Sequence, residues 1–312
     1  MKRVAFMFPG QGSQVVGMGE EIYNNFSSVK TLYENANNVL DKDLTSLMFE
    51  GPKEKLTETE NAQPALLLSS VAIHSLLIEE EIQPVMTVGH SLGEYSALVS
   101  AGALALDDAL PLVHTRGQLM EEAFPKGQGT MAAVLGLSQS EIQEVLNSIS
   151  EEIVDLANIN CPGQIVISGS VKGIDLATEK LKAKGARRVL PLNVSGPFHS
   201  RLMKSANEEF AAHLDNVKIN NASIPVYANV TAAPETDKDN IKESLVKQLY
   251  SPVRFEESIG NMLQENIDAF VEVGTGKVLS GLVKKIDRSV KTFAVQDVKS
   301  LDEFVTWYKG DK

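Results

Sequence analysis

Apolar and polar positions along this chain keep changing period, and the changes mark its elements. Arg3 to Phe8 is a short apolar run, predicting a strand that ends in the Gly-rich segment Pro9-Gly10-Gln11-Gly12-Ser13-Gln14. From Asn61 the stretch NAQPALLLSSVAIHSLLIEE has helical apolar spacing through Leu66, Ile73 and Leu77, with its opening placed near Pro64. Val85 to Val88 predicts a second strand. It turns through Gly89-His90-Ser91-Leu92-Gly93 into a helix rich in small residues, namely Ser96, Ala97, Ser100 and Ala101. Asp107 is placed to cap a further helix that runs to about Phe124. Strand, Gly-turn and helix in alternation predict a parallel α/β sheet.

The pattern changes after Pro125-Lys126-Gly127-Gln128-Gly129. Strands are predicted at Met131 to Leu135, Val154 to Asn158, Gln164 to Ser168 and Arg188 to Val194, with helices at Gln139 to Ile149 and Lys172 to Lys184. That βαββαβ order is ferredoxin-like. The first pattern resumes near Ser195, with strands at Val226 to Val230 and Ala269 to Val273, and Pro234 to Asn240 reads as a polar surface loop. The expectation is an α/β protein whose large, α/β-hydrolase-like domain is discontinuous (1–125 and 196–312). A ferredoxin-like small domain (126–195) is inserted into it.

Composition narrows the function classes. An apolar fraction of 43% with 22% charged residues fits a globular chain with a sizeable core. Cys161 is the only cysteine, which excludes an intrachain disulfide. The first apolar run is too short for a secretory segment and no other stretch reads as long enough to span a membrane, so a cytoplasmic location is expected. Net charge is −12, against nucleic-acid binding. An acidic protein partner would need a local basic patch, and two groups offer one: Lys180, Lys182, Lys184, Arg187 and Arg188, then Lys277, Lys284, Lys285 and Arg288.

The chemistry begins at Gly89-His90-Ser91-Leu92-Gly93, a G-x-S-x-G turn between strand and helix. Its glycines permit a sharp turn that presents Ser91 at a helix N-terminus, where free N–H groups favour developing negative charge. The Leu92 amide supplies one oxyanion donor, and the Gly10-Gln11-Gly12 loop is placed to supply another. Among five histidines, His90 adjoins the serine and suits support of the turn, His114 and His213 read as solvated, and His74 reads as a core residue. His199 follows Ser195-Gly196-Pro197-Phe198 at a predicted helix start, which would keep its imidazole neutral, so it is the candidate base. Arg116 lies inside the apolar stripe Leu112, Val113, Leu119, Met120 and needs an anionic partner. That partner is either an internal Asp or Glu, or a carboxylated acyl group admitted beside Gly117.

Taken together, FPGQGSQ, GHSLGEYSAL, TRGQLM, ANINCPGQIVISG, SGPFHSRLM, QLYSPVRF and EVGTGKVLSGLVK make the chain resemble, over essentially its whole length, the malonyl-CoA:acyl carrier protein transacylases of dissociated fatty-acid synthesis. The resemblance implies Ser91 as nucleophile, His199 as base, Arg116 on the malonyl carboxylate, and the amides of Gln11 and Leu92 as oxyanion hole. It further implies that a main-chain carbonyl at Gln248 orients the histidine, giving a Ser-His dyad without an acid. Phe198 is similar to the malonyl-selective pattern of related polyketide acyltransferases. Malonyl-CoA and an acyl carrier protein are the implied partners, with Lys284, Lys285, Arg187 and Arg188 as docking candidates. No metal or cofactor, no membrane and a monomer are expected. A trans-acting polyketide acyltransferase would use the same residues, whereas a serine esterase would share the elbow without needing Arg116. A silent docking domain would lack the nucleophile or the base.

Overall fold

The computed structural model of the chain describes residues 2–310. Its strands, numbered in chain order, are β1 (Val4–Phe8), β2 (Met86–Gly89), β3 (Gly129–Leu135), β4 (Val154–Cys161), β5 (Gln164–Ser170), β6 (Arg188–Pro191), β7 (Val226–Tyr227), β8 (Pro234–Glu235), β9 (Ala269–Val273) and β10 (Lys291–Val295). The larger sheet has the order β10-β9-β1-β2-β7-β8, parallel except for the β8 edge. Every residue of β1 and β9 is buried, because helices cover both faces and leave no solvated side to alternate with. That also explains why these strands read as unbroken apolar runs.

The smaller sheet, β4-β5-β3-β6, is antiparallel throughout. Helices Gln139–Asn147 and Val171–Lys184 pack on it through Ile142, Leu146, Ala177 and Leu181, so this part of the chain has a core of its own. Ser138 and Ser170 cap the two helices by accepting from Glu141 and Gly173 amides. The βαββαβ order is present, and the fold is the α/β one with a ferredoxin-like insertion. β4 of the smaller sheet is bridged to the larger part of the chain through Val253, just ahead of helix Phe255–Met262: Ile159 N–H donates to the Val253 carbonyl and Val253 N–H to the Ala157 carbonyl, both at 2.8 Å.

Several local expectations are corrected. Helix Thr59–Glu79 starts before Pro64, which therefore lies inside it and cannot donate to the Glu60 carbonyl. That carbonyl accepts from His114 Nδ1 instead, at 2.8 Å, so His114 is half-buried and bonded rather than solvated. The same helix is long and apolar enough to pass for a membrane span, but 83% of its most apolar window is buried inside the protein, as a core helix should be. Ala105, not Asp107, is the N-cap of helix Leu106–Glu122. Pro234 to Asn240 is not all loop: β8 occupies its start and Asp237 caps helix Lys238–Gln248. Gly117 makes room for another helix, since a Cβ there would lie 2.6 Å from Glu60 Cα.

Candidate active site

Three neighbouring parallel strands deliver the site from their carboxyl ends, the side where α/β sheets bind ligands. β1 and β2 pair through Phe8 and Gly89, so the Pro9–Gln14 loop and the serine turn leave the sheet side by side. β7, on the other side of β2, leads to Asn229. The elbow glycines are needed for close packing: a Cβ on Gly89 would fall 1.8 Å from the Gly93 carbonyl carbon, and one on Gly93 would fall 2.0 Å from the Phe8 oxygen. The sharp bend itself falls on Ser91, at φ 52°, a left-handed conformation that a non-glycine residue adopts at a cost.

His199 also has a left-handed φ, 59°. Its Nε2 lies 2.8 Å from Ser91 Oγ and its Nδ1 lies 2.8 Å from the Gln248 carbonyl oxygen. A carbonyl only accepts, so Nδ1 carries the proton and Nε2 presents a lone pair to the serine hydroxyl. The residue is 4% exposed, and burial followed by the nearby Arg116 guanidinium pushes its pKa down to about 3. The expected helix N-terminus is instead a 3-10 turn, Arg201–Ala206, ahead of helix Asn207–Asp215. Neutrality therefore comes from desolvation first.

Arg116 is 1% exposed. Its Nη1 donates to Gln63 Oε1 (2.8 Å), and its Nη2 donates to Gln248 Oε1 (2.9 Å) and Ser91 Oγ (3.2 Å). The guanidinium sits 5.3 Å from the centre of the Tyr95 ring. Among the described residues no carboxylate lies within ion-pair distance of it, and its Nε–H is buried without a partner. An internal Asp or Glu ion pair is thereby ruled out in this geometry, and the Nε–H donor is left unpaired.

Four features of this centre escaped the reading of the sequence. Gln63 supports Arg116. The Gln248 side chain, as well as its carbonyl, takes part: its Nε2 donates to Ser91 O (3.0 Å), Glu94 Oε2 (2.8 Å) and Asn229 Oδ1 (3.1 Å). Asn229 Oδ1 accepts from Ser91 N–H at 2.8 Å and its Nδ2 donates to the Gly89 carbonyl. Glu94, 2% exposed, accepts from the Asn229 amide at 2.9 Å; burial raises its pKa to about 7 while those hydrogen bonds pull it back. For Glu94 and Gln248 the available signal was the polar letters of GHSLGEYSAL and QLYSPV within apolar surroundings; Gln63 and Asn229 carried none.

The amides of Gln11 and Leu92 bond to no protein acceptor among the described residues, which leaves both free for an oxyanion. Gln11 lines a cavity of about 150 Å³ that also holds Ser91 and His199 on its wall. Met120, Met131, Leu192, Val194 and Phe198 give it an apolar side. His90 turns away as expected, with its Nε2 2.8 Å from Asn160 Oδ1 of β4. His74 packs edge-on against Phe6 and Phe8, and its Nε2 lies 2.9 Å from Ser100 Oγ.

Residues 5–309 match the acyl transferase domain family model. The chain is 53% identical to the malonyl CoA-acyl carrier protein transacylase of Bacillus subtilis (strain 168), covering 97% of this chain and 96% of that one. It belongs to the malonyl CoA-acyl carrier protein transacylase family. A solved acyl carrier protein S-malonyltransferase from Vibrio cholerae superposes with a TM-score of 0.95 at 43% identity, over 97% of this chain and 99% of that one. A malonyl-transacylase solved in complex with its type II PKS acyl-carrier protein gives 0.95 at 40% identity, over 97% and 99%.

The structure separates the basic groups named as docking candidates. Lys284 Nζ is occupied by the carbonyls of Val290 and Arg288, close to its own helix end. Lys285 Nζ donates to Gln164 Oε1 at 2.9 Å, linking helix Val278–Ile286 to β5. Arg187 and Arg188 are exposed at the start of β6, and Lys184 pairs with Glu144.

Proposed function

We propose that this enzyme transfers the malonyl group of malonyl-CoA to the phosphopantetheine thiol of an acyl carrier protein, through a malonyl ester on Ser91, in fatty-acid biosynthesis. The observation that carries the reading is the Arg116 guanidinium. It is buried, lacks a carboxylate partner, keeps Nε–H unpaired, and touches Ser91 Oγ. A malonyl carboxylate across Nε and Nη2 would satisfy it, and no acyl group without a charge would.

His199 Nε2 takes the Ser91 proton as Oγ attacks the thioester carbonyl, and the Gln11 and Leu92 amides receive the oxyanion. Collapse expels the coenzyme A thiolate, which takes the proton back from His199. The carrier thiol then enters, gives its proton to His199 and attacks the malonyl ester; collapse expels Ser91 Oγ, which takes that proton back from His199. Gln248 O holds the histidine tautomer throughout. The reaction so written needs neither metal nor redox cofactor. We place the enzyme in the cytoplasm as a monomer, with the catalytic domain formed by 1–125 and 196–312 and the small domain by 126–195.

Intact mass after mixing with malonyl-CoA tests the reading. One malonyl mass should be added to the enzyme and none to Ser91→Ala; labelling that persists on the variant would overturn it. Rapid release of free malonate in place of transfer to a thiol would indicate an esterase. The structural likeness to a partner of a type II PKS acyl-carrier protein supports one competing carrier, so fatty-acid and polyketide carriers should be compared side by side.

A further inference from the structure

Among the described residues, Gln248 alone reaches all three reacting elements. Its carbonyl holds His199, its Oε1 accepts from Arg116, and its Nε2 donates to the Ser91 carbonyl. A primary amide has one accepting end and one donating end, and Arg116 has only donors, so the side chain serves the site in one orientation. That orientation is enforced from the far side. Asn229 Oδ1 is committed as an acceptor because Ser91 N–H already donates to it. Glu94 Oε2 is committed as well, held in place by the Asn229 backbone N–H, a donor that cannot be reversed. Both oxygens face the Gln248 Nε2 end, at 3.1 and 2.8 Å.

We propose that Glu94 is a positioning residue for acyl selectivity: its carboxylate fixes the Gln248 amide, and through Gln248 Oε1 it holds the Arg116 fork in register with Ser91. The proposal rests on the reading of Arg116 as the group that meets the malonyl carboxylate. Glu94 does not act as a direct counter-ion, being outside ion-pair distance of Arg116. Every member of the relay is at most 2% exposed, so water is not at hand to replace a lost partner.

The test is the ratio of kcat/KM for malonyl-CoA to that for acetyl-CoA, measured on the full chain. Glu94→Ala frees the Gln248 amide and should lower the ratio by about 10- to 100-fold, the size expected for a lost buried hydrogen bond to a charged group. Glu94→Gln should keep most of the ratio, because the Asn229 N–H draws the new carbonyl oxygen to the position Oε2 holds. In an Arg116→Ala background, Glu94→Ala should change the ratio no further. Equal losses for the two thioesters, a Glu94→Gln ratio as low as that of Glu94→Ala, or an undiminished effect without Arg116 would each overturn the proposal. Should Glu94→Ala not fold, Gln248→Leu removes the amide while keeping the backbone carbonyl, and the same loss of ratio is required of it. If Arg116→Ala itself leaves the ratio intact, the reading of Arg116 fails; if Arg116→Ala lowers it and Glu94→Ala does not, only the role of Glu94 fails.

Discussion

Two polar networks meet at the mouth of this site, and they are built on opposite terms. Beneath Ser91, the side chains of Gln63, Glu94, Arg116, Asn229 and Gln248 are each at most 2% exposed and bond to one another and to the Ser91 turn. At the rim, Gln11 Nε2 donates to Thr59 Oγ1 (3.3 Å), Thr59 Oγ1 donates to Glu121 Oε2 (3.0 Å), and Ser195 Oγ donates to the same oxygen (2.5 Å). This outer chain ties the oxyanion loop to the segment that leads into His199, but Gln11, Glu121 and Ser195 are only half-buried. A lost partner in the inner network leaves a charge or amide with nothing to bond. A lost partner in the outer one is replaced by water. The same kind of hydrogen bond thus matters differently according to what stands behind it.

His199 joins the two networks, since its ring hangs from the Gln248 carbonyl and its backbone follows Ser195. Its loss should be the largest effect. His199→Ala should slow acylation of Ser91 by about 10²- to 10⁴-fold in stopped-flow or quench measurements, the usual size for a missing general base. A near-normal rate would move the base elsewhere. The wild-type acylation rate should also show no inflection near the ordinary histidine value of 6.5, because the free base persists down to about 3. The sign for stability follows. A histidine with a depressed folded pKa contributes stability that is complete above about 6.5 and is lost as pH falls towards 3, because the unfolded chain binds the proton that the folded one refuses.

The inner and outer networks can be set against each other directly. Arg116→Ala should cost about 3 kcal/mol of transition-state stabilisation with malonyl-CoA, because the carboxylate is left unpaired in a dry site, while the slower acetyl reaction holds or improves. Glu121→Ala should cost about 1 kcal/mol or less and should affect both thioesters alike, since it loosens loops without touching the acyl carboxylate. A Glu121→Ala loss as large and as malonyl-specific as that of Arg116→Ala would erase the distinction between the networks.

What the sequence made legible follows the same division. The elbow, the strands that flank it and His199 stood out because each breaks a pattern: glycines around a serine, or a histidine after a Gly-Pro turn. Arg116 stood out as a charge on an apolar stripe. Gln63, Glu94 and Asn229 did not, because an uncharged amide or an acid near a helix start is ordinary when its distant partners are unknown. Gln248 was reached through family resemblance, and then only for its carbonyl. The Pro64 position shows a further limit. A proline normally marks a helix start, yet here it sits inside one because His114, far along the chain, satisfies the Glu60 carbonyl it cannot serve. Strand β10 passed unread as well; only its last residue, Val295, is fully buried, and its edge position gives it a mixed pattern.

Beyond both networks lies the charged rim, where effects should be smallest and most dependent on salt. An acyl carrier protein is acidic, and this chain carries a net charge of −12, so encounter depends on a local basic surface. Lys284 is a poor test of that surface because its ammonium already serves the Val290 carbonyl, and reversing it would disturb its own helix end. Arg187 and Arg188 are exposed, and Lys285 is held only by an exposed glutamine bond. Reversing Arg187 and Arg188 to Glu should therefore raise the apparent KM for the carrier several-fold at low salt, since rim charges act mainly on encounter. Acylation by malonyl-CoA should stay near wild type, and so should transfer to free pantetheine, which carries no acidic helix. Adding salt should bring wild type towards the variant, because the attraction is screened over a Debye length of about 8 Å at physiological ionic strength. Lys285→Glu, measured in the same way, places the docking surface on one side of the cleft or the other. If the double arginine variant matches wild type at low salt while Lys285→Glu does not, the carrier approaches over helix Val278–Ile286 and the start of β6 is a solvated edge.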